Sequence, residues 1–347
     1  MEEPRFISID DFFAQANKDS VIIDARSPKE FNQGHIPQAV NIPLLNNEHR
    51  HLVGCCYKEQ GQDAAIQLGY RLVTPLFADI QQQALSIAPQ KKVYLHCWRG
   101  GLRSKITAGL LAEVGIEVLM LQGGYKAWRN ALLQEFMVPR KGCVVAGNTG
   151  TGKTDILQAL QTLEKGVVDL EGLAHHKGSA FGGVRMPEQP TQEQFENLLG
   201  LTLKSIGAHH APIIVESESR MIGRMRIPDP FFNLMWSWPR FIIQRDLESR
   251  IQYIENAYAH CDNEELSEKT TQLSKRMGSE QVKEALMHLN TGNRKEWIRL
   301  LLQYYDKSYS HHASLIKTPI LLELEHALGK TTDTAHQIHQ ECQTRFS

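Results

Sequence analysis

Two short segments of this chain combine residue types that bind anions with residue types that carry out chemistry. The first places a cysteine among arginines and glycines, and the second combines glycines and threonines with one lysine. They read His96-Cys97-Trp98-Arg99-Gly100-Gly101-Leu102-Arg103-Ser104 and Gly147-Asn148-Thr149-Gly150-Thr151-Gly152-Lys153-Thr154. Successive backbone N–H groups bind anions, and nearby positive charge stabilises a thiolate. The first segment therefore predicts a nucleophilic sulfur in an oxyanion-binding loop, and the second predicts a loop that holds a chain of phosphates.

Both segments lie between a predicted strand and a predicted helix. Residues 92–96 and 141–146 are short apolar runs, which are typical of buried parallel strands. Residues 104–114 and 155–163 repeat apolar side chains every three or four positions, which predicts a helix after each loop. Because a strand–loop–helix unit points backbone N–H groups and a helix N-terminus at one spot, we expect an anion to bind at each loop.

Acidic residues follow two further predicted strands in the second half of the chain. Asp169 and Glu171 come after one apolar run, and Glu216 ends the next. Beside a Gly-x4-Gly-Lys-Thr loop, Lys153 would reach the terminal phosphate oxygens and Thr154 would ligate Mg²⁺. The three acids are candidates for Mg²⁺ ligands or for a base, and we expect Asp169 and Glu171 on a loop facing the phosphates. The alternative is that one of them only caps a helix.

The composition argues against a protein that binds polyanions over its whole surface. The 347 residues include 38 basic and 39 acidic ones, for a formal net charge of −1. Nucleic-acid-binding proteins usually carry a clear positive excess. An RNA-binding surface would therefore need a local concentration of cations. Two such clusters are visible, Arg220, Arg224 and Arg226 or Arg240, Arg245 and Arg250.

The sequence also predicts the compartment. The first eleven residues are acidic and lack the apolar core of a signal peptide. No run approaches the roughly 18 apolar residues that a membrane span needs. The six cysteines show no spacing typical of a disulfide framework. We therefore expect a cytoplasmic protein with no membrane partner.

Three motifs around Cys97 resemble those of a rhodanese domain, over about residues 5–135. They are the Asp-x-Arg-x3-Glu-Phe motif of residues 24–31, the Gly-His-Ile-Pro-x-Ala-x-Asn-Ile-Pro motif of residues 34–43 and the Gly-Gly-x3-Trp motif of residues 123–128. In this resemblance Cys97 is the residue that carries the transferred chalcogen.

The Cys97 loop differs from that of rhodaneses that use thiosulfate. In those proteins the serine lies six positions after the cysteine, whereas Ser104 lies seven positions after Cys97. The longer loop fits a tetrahedral oxyanion larger than a bare sulfane sulfur. The same stretch also satisfies the His-Cys-x5-Arg-Ser pattern of protein tyrosine phosphatases. A cysteine-dependent phosphatase, or a rhodanese-type sulfurtransferase, joined to a P-loop ATPase therefore remains an alternative.

Residues 44–76 form a polar insertion between the rhodanese motifs. It contains the adjacent pair Cys55 and Cys56, which could pass on a sulfur or selenium atom or bind a metal. A single Cys-Cys pair is weak support for a metal site. We expect the insertion to pack as an ordinary loop at the mouth of the Cys97 site.

The last part of the chain has a helical pattern. Thr191 is expected to cap a helix that runs to Ile206, and Asn293 to cap a helix that buries Trp297 on one face. From Glu265 to the end of the chain the pattern predicts helices alone.

The chain resembles the bacterial tRNA 2-selenouridine synthase family over essentially its whole length, both in the order of the two segments and in several longer motifs. The motifs are Val-Gly-x2-Tyr-Lys in the insertion, Cys-Trp-Arg-Gly-Gly-x-Arg-Ser, Gly-Asn-Thr-Gly-Thr-Gly-Lys-Thr, and Asp-Leu-Glu-Gly-Leu-Ala-His-His-Lys-Gly-Ser-x-Phe-Gly. The resemblance implies an α/β protein with a rhodanese domain over residues 1–135. A P-loop NTPase-like α/β domain with a helical C-terminal part follows over residues 136–347.

This family resemblance also implies a function. The family replaces sulfur by selenium at C2 of the wobble 2-thiouridine in tRNAs for Lys, Glu and Gln, with selenophosphate as donor and an S-geranyl intermediate made from geranyl diphosphate. Cys97 would carry selenium, and the loop would bind the donor through Arg99, Gly100, Gly101, Arg103 and Ser104. Residues 147–154 would bind the diphosphate, Mg²⁺ is a candidate ion, and no stable prosthetic group is expected. Selenophosphate synthetase is a candidate partner, and the anticodon arm is the expected RNA contact.

Overall fold

The chain forms two compact units, each with its own parallel sheet. A computed structural model describes residues 5–163, 166–207, 212–315 and 317–346, with the backbone alone for residues 310–315. The first unit ends at Gln134 and the second begins at Glu135. Each unit has a hydrophobic core of its own.

The elements alternate between strands and helices, as expected for α/β domains. The strands are β1 (Arg5–Ile7), β2 (Ile22–Asp24), β3 (Val40–Asn41), β4 (Lys92–His96), β5 (Glu117–Leu121), β6 (Gly142–Ala146), β7 (Val167–Val168), β8 (Ile213–Glu216), β9 (Met221–Ile222), β10 (Met225–Arg226), β11 (Arg240–Gln244) and β12 (Ile320–Glu325). The helices are α1 (Ile9–Gln15), α2 (Pro28–Gln33), α3 (Asn47–Gln60), α4 (Gln62–Val73), α5 (Phe77–Ile87), α6 (Leu102–Glu113), α7 (Gly124–Glu135), α8 (Lys153–Leu163), α9 (Leu170–Ala174), α10 (Gln192–Ile206), α11 (Asp229–Trp236), α12 (Leu247–Ala257), α13 (Asn263–Gln272), α14 (Ser274–Met277), α15 (Ser279–Asn290), α16 (Arg294–Leu315) and α17 (Thr331–Phe346).

In the first unit, five parallel strands lie in the order β1-β5-β4-β2-β3. The central strand β4 is almost wholly buried, because side chains on both faces of a parallel sheet are covered by helices. Cys97 directly follows this strand, so the predicted strand–loop–helix unit is present. The loop lies at the carboxyl edge of the sheet, which is where ligands bind in open α/β folds.

The insertion is helical, so the expectation of an ordinary loop was wrong. Residues 44–76 contain α3, α4 and a short 3₁₀ turn at Thr74–Leu76. The Asn46 side chain caps α3 by accepting a hydrogen bond from the backbone N–H of His49. The insertion looked like a loop because α3 buries little besides Cys56, so its sequence shows only a weak apolar stripe.

In the second unit, another five parallel strands lie in the order β12-β11-β6-β8-β7. Strand β6 is central and fully buried, and the phosphate loop follows it. Helices α8 and α17 pack together beside the sheet, and their buried side chains join the core around Val145 and Phe241.

The helical prediction for the C-terminal part holds for most of that region. Thr191 caps α10, the Asn293 side chain accepts from the N–H of Glu296, and Trp297 is buried as predicted. It is wrong for Ile320–Glu325, which forms edge strand β12 parallel to β11. The Leu-Glu-Leu-Glu alternation of this segment has the period of a strand, and only Leu324 within it is buried. Among the described residues, no helix is long and apolar enough to cross a membrane.

Candidate functional site

The backbone of the Cys97 loop is fixed by the start of α7. The N–H of Tyr125 donates to the carbonyl oxygen of Cys97 at 2.9 Å, and the N–H of Lys126 donates to that of Trp98 at 3.0 Å. Gly124 makes this approach feasible, since its φ is +60° and a Cβ there would lie 2.5 Å from the Cys97 oxygen. The Gly-Gly motif of residues 123–128 therefore shapes the loop, and the Cys97 side chain is buried within it.

A carboxylate holds one of the two loop arginines in place. Arg103 Nη1 donates to Glu30 Oε2 at 2.7 Å, and Arg50 Nε from insertion helix α3 lies 2.8 Å from the same oxygen. Burial alone would raise the pKa of Glu30, but the hydrogen bonds and positive charge of Arg103 and Arg50 lower it to about 2. Glu30 is therefore a stable anion that orients Arg103, whereas Arg99 is exposed to solvent.

The remaining motif residues of the first unit support the sheet edge. Arg26 is buried, pairs with Asp24 at 2.6 Å and lies 3.8 Å from the ring centre of Tyr125. Burial also lowers the pKa of His96, which keeps that imidazole neutral. Ser104 is fully buried at the start of α6, and its Oγ has no hydrogen-bond partner among the described residues. The structure thus places Cys97, Gly100 and Gly101 on the loop after β4, and Arg103 and Ser104 in the first turn of α6 that follows it.

The second loop wraps around its own lysine. Lys153 Nζ donates to the carbonyl oxygens of Gly147 at 2.7 Å and Asn148 at 3.3 Å, and Thr151 Oγ1 donates to that of Asn148. Gly150 has a φ of +83°, and a Cβ there would lie 2.9 Å from Ile254. Residues 147–154 thus form a compact turn at the start of α8, as the motif predicts.

Side chains from distant parts of the second unit support this loop. The N–H of Gly147 donates to Tyr309 Oη at 2.8 Å. Arg250 Nε donates to the carbonyl oxygen of Thr149 at 2.8 Å, while its Nη atoms bond both oxygens of Asp306. Arg245 reaches the carbonyl oxygen of Gly150.

These contacts decide the role of one predicted basic cluster. Arg240, Arg245 and Arg250 are all buried. Burial lowers the pKa of both Arg240 and Arg245. These three arginines are therefore part of the interior around the loop rather than a surface groove for RNA.

The predicted acids beside the loop have different roles. Thr154 Oγ1 donates to Glu171 Oε2 at 3.1 Å, and the N–H of Glu171 donates to Glu216 Oε1 at 2.8 Å. Asp169 accepts from the N–H of Gly172 and caps α9, so the helix-cap alternative holds for this residue. Glu171 lies within α9 and not on a loop, because Asp169 starts a helix immediately after β7.

A fourth carboxyl group, Glu218, joins this cluster. Burial raises the pKa of Glu216 well above its usual value. Burial and, next in size, the charge of Glu171 raise the pKa of Glu218 to about 8. The side chains of Glu218 and Glu171 share a hydrogen bond. One oxygen of Glu216, Oε2, has no partner among the described residues. Glu216 and Glu218 therefore bind protons more readily than ordinary glutamates, because their pKa values are raised.

A cavity of about 600 Å³ connects the phosphate loop to the helical part of the unit. Its polar end contains Gly152, Lys153, Thr154, Glu171 and Glu218. Its other end is lined by aromatic and aliphatic side chains, namely Phe181, Tyr258, Trp297, Ile298, Leu301 and Leu302, whereas Ile254 lies beside the phosphate loop. The site therefore combines an anion-binding end with an apolar end. Within the described ranges, no group of three or more His, Cys, Asp and Glu side chains is arranged to hold a metal ion by itself.

Comparisons with known proteins agree with this arrangement. A family model described as the tRNA 2-selenouridine synthase AAA domain matches residues 140–328, and a rhodanese-like domain model matches residues 9–131. A tRNA 2-selenouridine synthase from Shewanella piezotolerans is 36% identical over 346 residues, which cover 89% of this chain and 93% of the relative. One from Hydrogenovibrio crunogenus is 36% identical and covers 87% and 91%, and one from Nitrosomonas europaea is 40% identical and covers 73% and 67%.

The chain belongs to the tRNA 2-selenouridine synthase family. Membership of this synthase family identifies it as an enzyme of the transferase type. The predicted fold class, a rhodanese-like α/β domain followed by a P-loop-like α/β domain, is confirmed.

Several residues around the phosphate loop of this tRNA 2-selenouridine synthase family member were not predicted as site residues. Glu218 lies two positions after Glu216, and that spacing could have suggested it. Tyr309 and Asp306 gave no signal, because they lie 162 and 56 positions from their partners Gly147 and Arg250. Such residues are brought to the loop by the fold rather than by a local motif.

Proposed function

We propose that this protein replaces sulfur by selenium at C2 of the wobble 2-thiouridine in tRNAs for Lys, Glu and Gln. Selenophosphate is the donor, and geranyl diphosphate first converts the nucleoside to its S-geranyl form. The relatives' name supports tRNA selenouridine formation as the overall reaction. The observation that carries the finer proposal is the cavity with a phosphate loop at one end and an apolar lining at the other.

The shape of this cavity suits a diphosphate with a hydrocarbon tail. Lys153 and the backbone N–H groups of the loop would bind the diphosphate, as in other P-loops. The aromatic and aliphatic end, around Trp297 and Leu301, would bury the geranyl chain, because burial of apolar surface is favourable. A volume of about 600 Å³ lies within the range typical of small-molecule sites.

The donor atoms at the polar end also suit Mg²⁺. Thr154 Oγ1 and Glu171 Oε2 are hard oxygen ligands 3.1 Å apart, and Mg²⁺ prefers such oxygens together with those of a substrate phosphate. These two residues would hold the ion. When bound, Mg²⁺ neutralises charge that develops on a departing diphosphate. Glu216 contributes by accepting the Glu171 N–H and so fixing the position of Glu171.

The proposed reaction has two stages. In the first, S2 of thiouridine attacks C1 of geranyl diphosphate, the C1–O bond breaks, diphosphate leaves and the base loses its N3 proton. In the second, a selenium nucleophile adds to C2, and the C2–S bond breaks to release geranyl thiol after protonation. Alkylation makes sulfur a much better leaving group, which is why the first stage precedes the second.

Cys97 would deliver selenium for the second stage with no change of oxidation state. Its thiolate attacks phosphorus of selenophosphate, and the P–Se bond breaks to release hydrogen selenide as the nucleophile that adds to C2. Water then hydrolyses the S–P bond to give phosphate. The Cys97 sulfur follows β4 in a loop where α6 begins, so backbone N–H groups and a helix N-terminus face an anion there. Arg103, oriented by Glu30, and exposed Arg99 would bind the oxyanion of selenophosphate, together with the backbone of Gly100 and Gly101 and the hydroxyl of Ser104. Selenophosphate synthetase is the partner that would supply this donor.

The experiment separates the two stages. Thiolated tRNA is incubated with each donor alone and with both, and the digested nucleosides are weighed by mass spectrometry. We expect Cys97→Ser to form the S-geranyl nucleoside but no selenouridine. We expect Lys153→Ala to lose geranylation by about 1000-fold, since the lysine would stabilise the departing diphosphate, yet to selenate tRNA that was geranylated beforehand.

Matched controls are Cys55→Ser on α3 and Lys283→Ala on the exposed surface of α15, and both should retain the two stages. Loss of both stages in Cys97→Ser would contradict separate roles for the two units. Unchanged nucleosides with the wild-type protein and both donors would favour a phosphatase or a sulfurtransferase.

A further inference from the structure

A second cavity, of about 480 Å³, adjoins the phosphate-loop cavity in the second unit. The two cavities share Arg276, Tyr304 and Ser308 as lining residues. The second cavity also contains Gln281, Gln303 and Lys307. We call these six residues the α16 groove. No aspartate or glutamate of the described chain lines the second cavity, so its charged side chains are cations.

The groove is built on one face of α16. Gln303, Tyr304, Lys307 and Ser308 recur every three or four positions, which places them on one side of that helix. Trp297 and Leu301 of the same helix are buried in the core. The groove residues therefore project from a helix that is anchored by packing. The exposed side chain of Arg276, at the end of α14, forms the opposite wall.

The two clusters that the sequence suggested for RNA are less suitable. Arg240, Arg245 and Arg250 are buried around the phosphate loop. Arg220 and Arg226 both pair with Asp229, and Arg224 lies 3.7 Å from Glu188. In both clusters the arginines are either withdrawn from solvent or partly neutralised by carboxylates. The α16 groove contains two exposed cations, Arg276 and Lys307, together with amide side chains and a tyrosine ring.

This combination matches what protein surfaces use to bind RNA. Lysine, arginine and glutamine side chains donate hydrogen bonds to phosphate oxygens. Tyrosine rings stack on unpaired bases. Tyr304 is partly buried between the two cavities, so a base that stacks on it would lie at the entrance to the phosphate-loop cavity.

We propose that the α16 groove binds the RNA backbone phosphates that flank the modified nucleoside. The shared wall of Arg276, Tyr304 and Ser308 then lets that nucleoside enter the larger cavity beside the phosphate loop, because Ser308 precedes Tyr309, which accepts a hydrogen bond from Gly147. This inference rests on the proposed function, because it assigns the RNA contact of the same site. It places the base next to the diphosphate end, where S2 would meet C1 of the geranyl chain.

The test measures binding of thiolated tRNA to the full-length protein over a series of salt concentrations. Each phosphate contact to a cation adds about 0.7 to 0.9 to the slope of log K against log salt concentration. The double variant Arg276→Ala/Lys307→Ala should therefore lose about 1.5 of that slope and at least about tenfold in affinity. The single variant Lys307→Ala should lose about 0.8 of the slope. Its affinity for geranyl diphosphate, measured by calorimetry, should stay within about twofold of the wild-type value, because Lys307 lines only the second cavity.

Lys275→Ala is the matched control, because Lys275 is the exposed neighbour of Arg276 on α14 and does not line either cavity. The charge-preserving variants Arg276→Lys and Lys307→Arg should retain most of the slope. A double variant that behaves like Lys275→Ala would overturn the groove while leaving the proposed function intact. Equal losses of tRNA and geranyl diphosphate binding would also overturn it, since the cavity as a whole would then have changed. A wild-type protein that binds no tRNA would overturn the proposed function itself.

Discussion

The Cys97 loop and the phosphate loop have the same backbone setting and opposite electrostatic surroundings. Each follows the central strand of a five-stranded parallel sheet and precedes a helix. Beside Cys97, the carboxylate of Glu30 lies between Arg103 and Arg50, which lower its pKa to about 2. Beside the phosphate loop, carboxyl groups lie against one another, and the pKa of Glu218 rises to about 8. Backbone geometry thus provides an anion site in both, and the neighbouring side chains determine which chemistry each can perform.

The two loops also differ in what holds them. The Cys97 loop is bonded by main-chain groups at the start of α7, about 28 positions along the chain. The phosphate loop is held by side chains of α12 and α16, including Arg250, Asp306 and Tyr309. The first therefore depends on glycine conformation, whereas the second depends on tertiary contacts between distant side chains.

Removal of Arg250 should have the largest effect. Arg250→Ala deletes two hydrogen bonds to Asp306 and one to the phosphate loop. Arg250 is buried and Asp306 is partly exposed, and loss of these charged hydrogen bonds should cost about 3 kcal/mol, which denaturant unfolding would detect. Binding of geranyl diphosphate should weaken as well. Arg299→Ala, which breaks only surface ion pairs, should change stability little, and equal losses in both variants would argue against this support for the loop.

A side chain at Gly124 should have the next largest effect. In Gly124→Ala the new methyl group would lie 2.5 Å from the Cys97 oxygen and 2.6 Å from the Gly100 nitrogen, so the loop must move. We expect a loss of about 2 kcal/mol in stability. Selenation of pre-geranylated tRNA should fall and geranylation should be retained. Gly109→Ala on α6, where a Cβ meets nothing within 4 Å, serves as control. Normal selenation by Gly124→Ala would show that the loop does not need this geometry.

Glu30 and Glu218 should contribute to the free energy of unfolding with opposite pH dependences. The folded pKa of Glu30 is lowered, so its contribution is present above the ordinary value of 4.5 and is lost as pH falls toward 2. The folded pKa of Glu218 is raised, so its contribution is present below 4.5 and is lost as pH rises through 8. Unfolding free energies measured from pH 2 to 9 should therefore show the full difference between the wild type and Glu30→Gln above pH 4.5, and this difference should shrink as the pH falls toward 2. The unfolding free energy of the wild type relative to Glu218→Gln should decrease between pH 4.5 and 8. An increase over this range would contradict the raised pKa of Glu218 in the carboxyl cluster.

The smallest expected effect concerns the start of α9. Asp169→Ala removes the cap of the helix that carries Glu171 and should cost about 1 kcal/mol. Asp169→Asn can still accept the same hydrogen bond and should lose less. If Asp169→Ala instead abolished geranylation and left stability unchanged, Asp169 would have a role at the diphosphate rather than at the helix.

Local sequence patterns predicted the two loops and the strands that precede them. They could not predict contacts between residues that are far apart in the sequence. Strand β6 is a fully apolar run and strand β4 is apolar between Lys92 and His96, so their positions could be identified from local composition. Edge strand β12 was missed because it is mostly exposed and flanked by helices. The roles of Arg250 and Tyr309 depend on partners more than 50 positions away, and no pattern around either residue records such a contact.

Helix α16 contacts the phosphate loop and also lines the α16 groove. Tyr309 accepts a hydrogen bond from the phosphate loop, and Lys307, two positions earlier, lines the α16 groove. A ligand that orders this part of the helix at one of the two sites lowers the entropic cost of binding at the other. By thermodynamic linkage, the factor by which tRNA tightens geranyl diphosphate must equal the factor by which geranyl diphosphate tightens tRNA. One helix would thereby make the binding of the two substrates cooperative.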